Sequence, residues 1–369
     1  MSETIAANES SSAPVRLVVL FGGRSAEHDV SCTSARHVLM AADPERYRIE
    51  AVAIGRDGAW MRDRATEDTI RSRAEDLPQQ LVAQGEEIDP FELLGQPAAS
   101  GEATVVFPVL HGPYGEDGTV QGLLELLDVA YVGSGVLGSA LSMDKLKAKE
   151  MLSVHGIPQA RWSGLHVSET DRAGHLASVI ADLGLPLFVK PAKMGSSVGV
   201  SKATDAEDLS RAVEVAAQFD EWIIVEESIS GREIECSVLG NLDLEVSVGG
   251  EVVSGADFYD YEDKYDDGAE LIIPCELTET ELAEMRELAQ RSYKALRCAG
   301  LARVDFFLQS GGGGWLINEV NTMPGFTPIS MYPKLWAASG LDYPGLVDRL
   351  VDLAVERHER RAKHRCVSR

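Results

Sequence analysis

VRLVVLFGG, residues 15–23, carries six apolar side chains in seven positions and then two glycines. A strand without apolar–polar alternation is covered on both faces, as parallel strands are, and the glycines let the chain turn out of the sheet. IEAVAI (49–54) and VVFPVL (105–110) read the same way, and a helix-like TVQGLLELL separates the latter from VAYVG (129–133). Strands alternating with helices form right-handed βαβ units, so the first third is expected to be an open α/β sheet. Residues 62–102 are polar and irregular and read as a long connection or insertion.

A second unit begins near Ser142. MDKLKAKEMLSVHG reads as one helix stopped at Gly156, with Pro158 beyond it. LPLFVKPA (185–192) is a strand, T-D-A-E (204–207) a capping box opening a helix to Phe219, and EWIIVEE (221–227) another strand. The third unit carries strands EIECSVLG and LEVSVGG, then an acidic aromatic loop. A second capping box, T-E-T-E (278–281), opens a helix to Leu296, and a hairpin follows around GGGG (311–314). The expected division is a tail over 1–13, an N-terminal piece over 14–140, a central piece over 141–230 and a C-terminal piece over 231–369 containing a loop at 252–274.

Composition narrows the function. A chain of 369 residues is too long for one compact core and suits two or three subdomains. Its net charge of −25 argues against nucleic acid, which needs a basic face. Five scattered cysteines without C-x-x-C point to reduced thiols and a cytoplasmic protein. The first 13 residues lack the apolar core of a signal peptide, and no run of 18 apolar residues could span a membrane. The C-terminal RHERRAKHR reads as a solvated helix end.

Six stretches could carry chemistry. In ARVDFFL-QSGGGG-WLINEVN, alternation puts Arg303, Asp305 and Phe307 on one face and Ile317, Glu319 and Asn321 on one face. Antiparallel pairing centred near Gly312 sets Asp305 opposite Glu319, with Asn321 one step along. Two carboxylates and an amide suit a hard cation such as Mg²⁺ holding nucleotide phosphates; a solvent-facing strand pair is the plain alternative. VKPAKMGSSVGVSK (189–202) ends a strand in Lys190 and continues as a glycine–serine turn whose N–H groups could cradle phosphate, although it is no Walker A loop. Alone, it equally fits an ordinary hairpin.

GGRSAEHDVS (22–31) and HGPYGEDGTVQG (111–122) follow strands, which places Glu27, His28 and His111 where open α/β sheets bind ligands. Either is also a plain strand-to-helix turn. DFYDYEDKYDDGAE (257–270), with three tyrosines and seven acids, cannot build a core; it is a surface loop or a lid in which Lys264 and Tyr265 would work. NTMPGFTPISMYP (321–333) could bind a carboxylate through its backbone, or simply turn.

Together these stretches resemble the D-alanine–D-alanine ligases of the ATP-grasp superfamily. GGRSAEHDVS, HGPYGEDGTVQG, SMDKLKAK, KPAKMGSSVGVSK, VEESISGREIECSVLG, FYDYEDKY, ARVDFF and INEVNTMPGFTPISMYP occur in the family's order over nearly the whole chain. The resemblance implies an ATP-grasp fold behind a Rossmann-like domain, and peptidoglycan precursor synthesis from D-alanine through a D-alanyl phosphate. It makes Lys145 and Lys190 ATP-phosphate lysines, Glu226 the adenine contact and Glu233 the ribose contact. Lys264 is placed at the γ-phosphate, and Asp305, Glu319 and Asn321 ligate Mg²⁺ or Mn²⁺, two ions in all.

The resemblance also implies that Glu27 holds the first ammonium, with His111 near that substrate, while Ser196 and Tyr265 join Glu27 in a hydrogen-bonded set. Arg303 and the Gly325 N–H surround the tetrahedral intermediate, Ser330 holds the second carboxylate, and Met331, often Leu in relatives, borders its pocket. Ser228 replaces a frequent Trp. A homodimer is implied as well. D-Serine or D-lactate as second substrate is the near rival. A nicotinamide oxidoreductase would require G-x-G-x-x-G in the turn after the first strand, and GGRSAEHDVS lacks that spacing; a non-catalytic nucleotide binder would not retain Arg303 and the metal set.

Overall fold

A computed structural model describes residues 15–73, 76–95, 102–254 and 269–364. Its first sheet has the order β4-β3-β2-β1-β5-β6, with β1 at Val15–Gly22, β2 at Tyr47–Ile54, β3 at Trp60–Arg62, β4 at Glu86–Glu87, β5 at Thr104–Pro108 and β6 at Ala130–Tyr131. β2, β1, β5 and β6 run parallel, as the continuous apolar runs require. Leu17 through Phe21 are fully buried, between helix α1 (His28–Ala41) on one face and α4 (Thr119–Leu126) on the other.

The 62–102 stretch is not irregular. It holds β3, α2 (Arg64–Ser72), β4 and α3 (Pro90–Gly95). Asp63 caps α2 by accepting from Thr66 N. Buried Glu67 anchors it, pairing with Arg62 at 2.8 Å and accepting from Ala51 N at 3.2 Å. Polar composition hid this helix because its inward face is bonded rather than apolar.

A helix α5 (Val136–Met143) precedes the one expected after Ser142, which forms as α6 (Lys145–Val154). Asp144 ends the first and caps the second by accepting from Lys147 N at 3.1 Å. The central sheet is antiparallel with order β7-β10-β8-β9: β7 at Trp162–His166, β8 at Leu187–Pro191, β9 at Ser201–Ala203 and β10 at Trp222–Glu227. α7 (Arg172–Leu183) and α8 (Ala206–Ala216) back it. The cap of α8 is Asp205 bonding Asp208 N, not a box on Thr204, and α8 ends three residues short of Phe219.

The last sheet, β13-β12-β11-β14-β15, is antiparallel: β11 at Gly231–Gly240, β12 at Glu245–Ser254, β13 at Ala269–Ile272, β14 at Gly300–Gln309 and β15 at Trp315–Asn321. α9 (Glu279–Ala295) opens with the expected capping box of Thr278 and Glu281. α10 (Met331–Ala338) and α11 (Tyr343–Ala362) follow. α11 returns to the first sheet, where Leu346, Val347, Leu350 and Val351 join the core of β1 and α1. Ion pairs of Arg46 with Asp348 and Asp352 and a Tyr47–Asp348 hydrogen bond of 2.5 Å hold that junction. Among the described residues, no helix is long and apolar enough to cross a membrane.

Candidate active site

The fourteen described residues to which the resemblance gives a role all line one cavity of about 1050 Å³ among the three sheets, whereas buried His28 does not, its Nδ1 lying 2.7 Å from Gly23 O. Lys264 and Tyr265 lie outside the described residues.

The hairpin register is the expected one at its functional end: Asp305 pairs with Glu319 and Arg303 with Asn321. A bulge after Asp305 then slips the register so that Phe306 faces Ile317. Across the other edge of β14, Asp305 also faces Glu235. Three acids on adjacent strands thus surround one guanidinium. Arg303 binds both Asp305 oxygens at 2.7 Å and Glu235 at 2.8 Å, and these carboxylates hold its pKa well above the usual value against the opposing effect of burial. Asn321 Nδ2 donates to Asp305 at 2.9 Å.

Among the described residues, no three His, Cys, Asp or Glu side chains already converge as a metal cage. The donor chemistry nevertheless fits a hard divalent cation. All the donors are oxygens on rigid strands, and Glu235, Asp305 and Glu319 outnumber the single guanidinium.

At the central sheet, Glu226 of β10 is buried with both oxygens engaged, by Lys149 at 2.7 Å and Lys190 at 2.6 Å. Burial opposes its charge, yet the two ammonium groups hold its carboxyl down at about 2. An ionised carboxylate offers about four lone-pair sites, leaving room for a further donor such as an amino group. Sequence reading missed Lys149. The available signal was its spacing, four residues after Lys145 on one helix face. Lys145 Nζ itself donates to Met194 O at 2.7 Å, at the mouth of the glycine–serine turn.

In that turn Ser196 and Ser197 hold φ of 48° and 58°, in the left-handed region. The bend aims Ser196 Oγ at Glu27, to which it donates a short hydrogen bond. A Cβ on Gly112 would come within 2.5 Å of Glu27 Oε2, and one on Gly195 within 2.9 Å, so a side chain at either glycine would shift this carboxylate from its position. Glu116, also missed, accepts from Gly112 N at 2.7 Å and Met323 N at 3.0 Å. Burial, with Glu27 nearby, pushes its carboxyl up to about 8.

His111 is buried with both ring nitrogens engaged, Nδ1 2.9 Å from Met323 O and Nε2 3.2 Å from Ser34 Oγ. Ser330 Oγ lies 3.1 Å from Thr327 N and would be 2.8 Å from any Cβ on Gly325. Met331 is buried against Val252 and Leu335.

The site thus combines a lysine-rich end, an acidic strand patch and a carboxylate suited to an ammonium. Comparison with known proteins agrees over nearly the full length. Family profiles described as D-ala D-ala ligase N-terminus and C-terminus match residues 16–134 and 151–352. A D-alanine–D-alanine ligase of Bacillus cytotoxicus is 47% identical over 358 residues, covering 95% of this chain and 98% of its own. One of a Mycobacterium species (strain KMS) is 48% identical over 364 residues, covering 93% and 96%. Among solved structures, the D-alanine–D-alanine ligase of Coxiella burnetii superimposes with a TM-score of 0.79 at 34% identity, covering 95% and 97%. The VanG D-Ala:D-Ser ligase of Enterococcus faecalis gives 0.78 at 32%, covering 93% and 100%.

Proposed function

The chain belongs to the D-alanine–D-alanine ligase family and has its ATP-grasp fold, and on that footing we propose how its residues divide the work of joining two D-alanine molecules with ATP. The product is the D-alanyl-D-alanine used in peptidoglycan synthesis. A carboxylate does not acylate an amine at neutral pH, because oxide would have to leave. One carboxylate oxygen of the first D-alanine therefore attacks the γ-phosphorus of ATP, ADP departs, and D-alanyl phosphate forms. The neutral amine of the second D-alanine attacks its carbonyl, loses a proton, and phosphate leaves.

Positioning and charge neutralisation carry the first step. Lys145 and Lys190 hold phosphates, Glu226 takes the adenine amino group and Glu233 the ribose, while Lys264 reaches the γ-phosphate. Glu27, steadied by Ser196 and joined by Tyr265, binds the first ammonium, with His111 beside that substrate. Arg303 and the Gly325 N–H meet the oxyanion, Ser330 binds the second carboxylate, and Met331 walls its pocket. Divalent cation, an expected requirement of the family, fits Asp305, Glu319 and Asn321, and we take it as two Mg²⁺ or Mn²⁺ ions. Bound there, it would neutralise phosphate charge. The same reading makes the protein a cytoplasmic homodimer.

The observation that carries this reading is the single cavity shared by Lys190, Glu27 and the Asp305–Glu319 pair. Offering D-alanine with ATP, alone and with D-serine or D-lactate at pH 7, should give D-alanine-dependent phosphate release and D-alanyl-D-alanine as the main product. A mainly mixed dipeptide or depsipeptide would move the assignment to another ligase of the superfamily.

Lys149→Met removes one partner of buried Glu226 while Lys190 remains. A stability loss on the order of 2–3 kcal/mol is expected, with KM for ATP rising more than KM for D-alanine. The pH dependence follows. With a folded-state pKa of about 2 against an ordinary 4.5, Glu226 adds stability above the ordinary value that is lost as pH falls towards 2. Without Lys149 the folded pKa rises, so acid unfolding followed by circular dichroism should begin at higher pH.

A further inference from the structure

Beyond β15 the chain turns through Gly325 into Phe326, and Phe326 is held on every side. Its ring is fully buried, edge-on to Phe107 and Tyr343 and tilted against Tyr332. Its carbonyl accepts from Tyr343 Oη at 2.5 Å, and its N–H donates to Ser34 Oγ at 3.2 Å. Ser34 lies on α1, is fully buried, and stands 3.2 Å from His111 Nε2. The other ring nitrogen, Nδ1, is 2.9 Å from Met323 O.

One proton arrangement satisfies all of these groups. A carbonyl only accepts, so Nδ1 carries the imidazole hydrogen and donates to Met323. Nε2 is then an acceptor for the Ser34 hydroxyl hydrogen, while the Ser34 oxygen accepts from Phe326 N–H. The ring is neutral in this arrangement, the form that its burial favours. Met323 N–H, on the other side of that residue, donates to Glu116. The turn bearing Gly325 is therefore fixed from the N-terminal domain on both flanks.

We propose that Ser34 is a positioning residue for ligation, coupling the His111 ring to the Phe326 amide so that the preceding Gly325 N–H is presented to the developing oxyanion. This rests on the role given to Gly325 above. Nothing in the eight family-like stretches singles out Ser34. A misplacement of about 1 Å at an attacking geometry can cost about 10² in rate, and loosening this turn acts on aminolysis more than on ATP binding.

The test is Ser34→Ala in the full-length enzyme. The expected result is kcat lower by about tenfold or more, KM for ATP nearly unchanged, and fewer dipeptides formed per ADP released, because misaligned acyl phosphate is lost to water. Nitrogen-15 NMR of the His111 ring should show a neutral ring protonated at Nδ1 in the wild type and mixed tautomers in the variant. Wild-type kcat and coupling in a folded Ser34→Ala, or a wild-type ring protonated at Nε2, overturns the proposal. Should Ser34→Ala not fold, Ser34→Cys, which keeps a weak donor and acceptor, is measured by the same criteria. If the wild type makes no D-alanyl-D-alanine at all, the functional reading fails instead, and the NMR result stands apart from it.

Discussion

Glu319→Gln is expected to lower D-alanine-dependent ATP turnover by about two to four orders of magnitude while the protein stays folded. Charge neutralisation by a bound cation is worth several kcal/mol in phosphoryl transfer, and about 1.4 kcal/mol corresponds to tenfold in rate. The substitution keeps the size of the side chain and removes only its charge, so β15 retains its pairing with β14. The fold should tolerate the change, because Glu319 sits at the cavity wall and belongs to no apolar cluster. Raising Mg²⁺ should recover part of the loss, because in the proposed metal set the defect is one of cation affinity. Phosphate release measured across a Mg²⁺ series, with a thermal melt alongside, reads both. Full activity at ordinary Mg²⁺ would remove Glu319 from the metal set.

The strand patch could be anticipated because two regularities sufficed: side chains alternate along a strand, and a glycine-rich tip places the centre of a hairpin. Together they set Asp305 against Glu319. The bulge beyond Asp305 lies outside such reasoning, since the register shift it introduces leaves no mark in the composition of FFL or WLI. Lys149 was accessible in principle from its spacing to Lys145, but a lysine in an amphipathic helix is ordinarily solvated, and its burial depends on β10 delivering Glu226 from another part of the chain.

Ser34 had no local signal at all. Its importance arises from α1, the turn after β5 and the turn after β15 meeting at one hydroxyl. The helix α2 was hidden for a related reason: Glu67 is buried by pairing with Arg62, and periodicity registers apolar faces only. Local pattern thus reported elements and strand faces, and failed wherever a polar side chain owed its environment to distant segments.

Arg303→Met provides the complementary result, a fall in kcat of about 10²–10³ that extra Mg²⁺ does not repair. The guanidinium is bonded to Glu235 and to both oxygens of Asp305, on the strand position paired with Asn321. In the proposed role its loss would remove a donor at the developing oxyanion, a change whose usual cost is of that size. It also removes a cation bonded to both Asp305 oxygens, so cation affinity should rise as rate falls. Glu319→Gln and Arg303→Met therefore move the Mg²⁺ requirement in opposite directions although both lower turnover. Arg303→Lys should rescue little, since an ammonium cannot reproduce the two-oxygen grip on Asp305. If instead Arg303→Met were restored by Mg²⁺, the arginine's role would be to balance charge within the patch, and the oxyanion would be left to the Gly325 N–H alone.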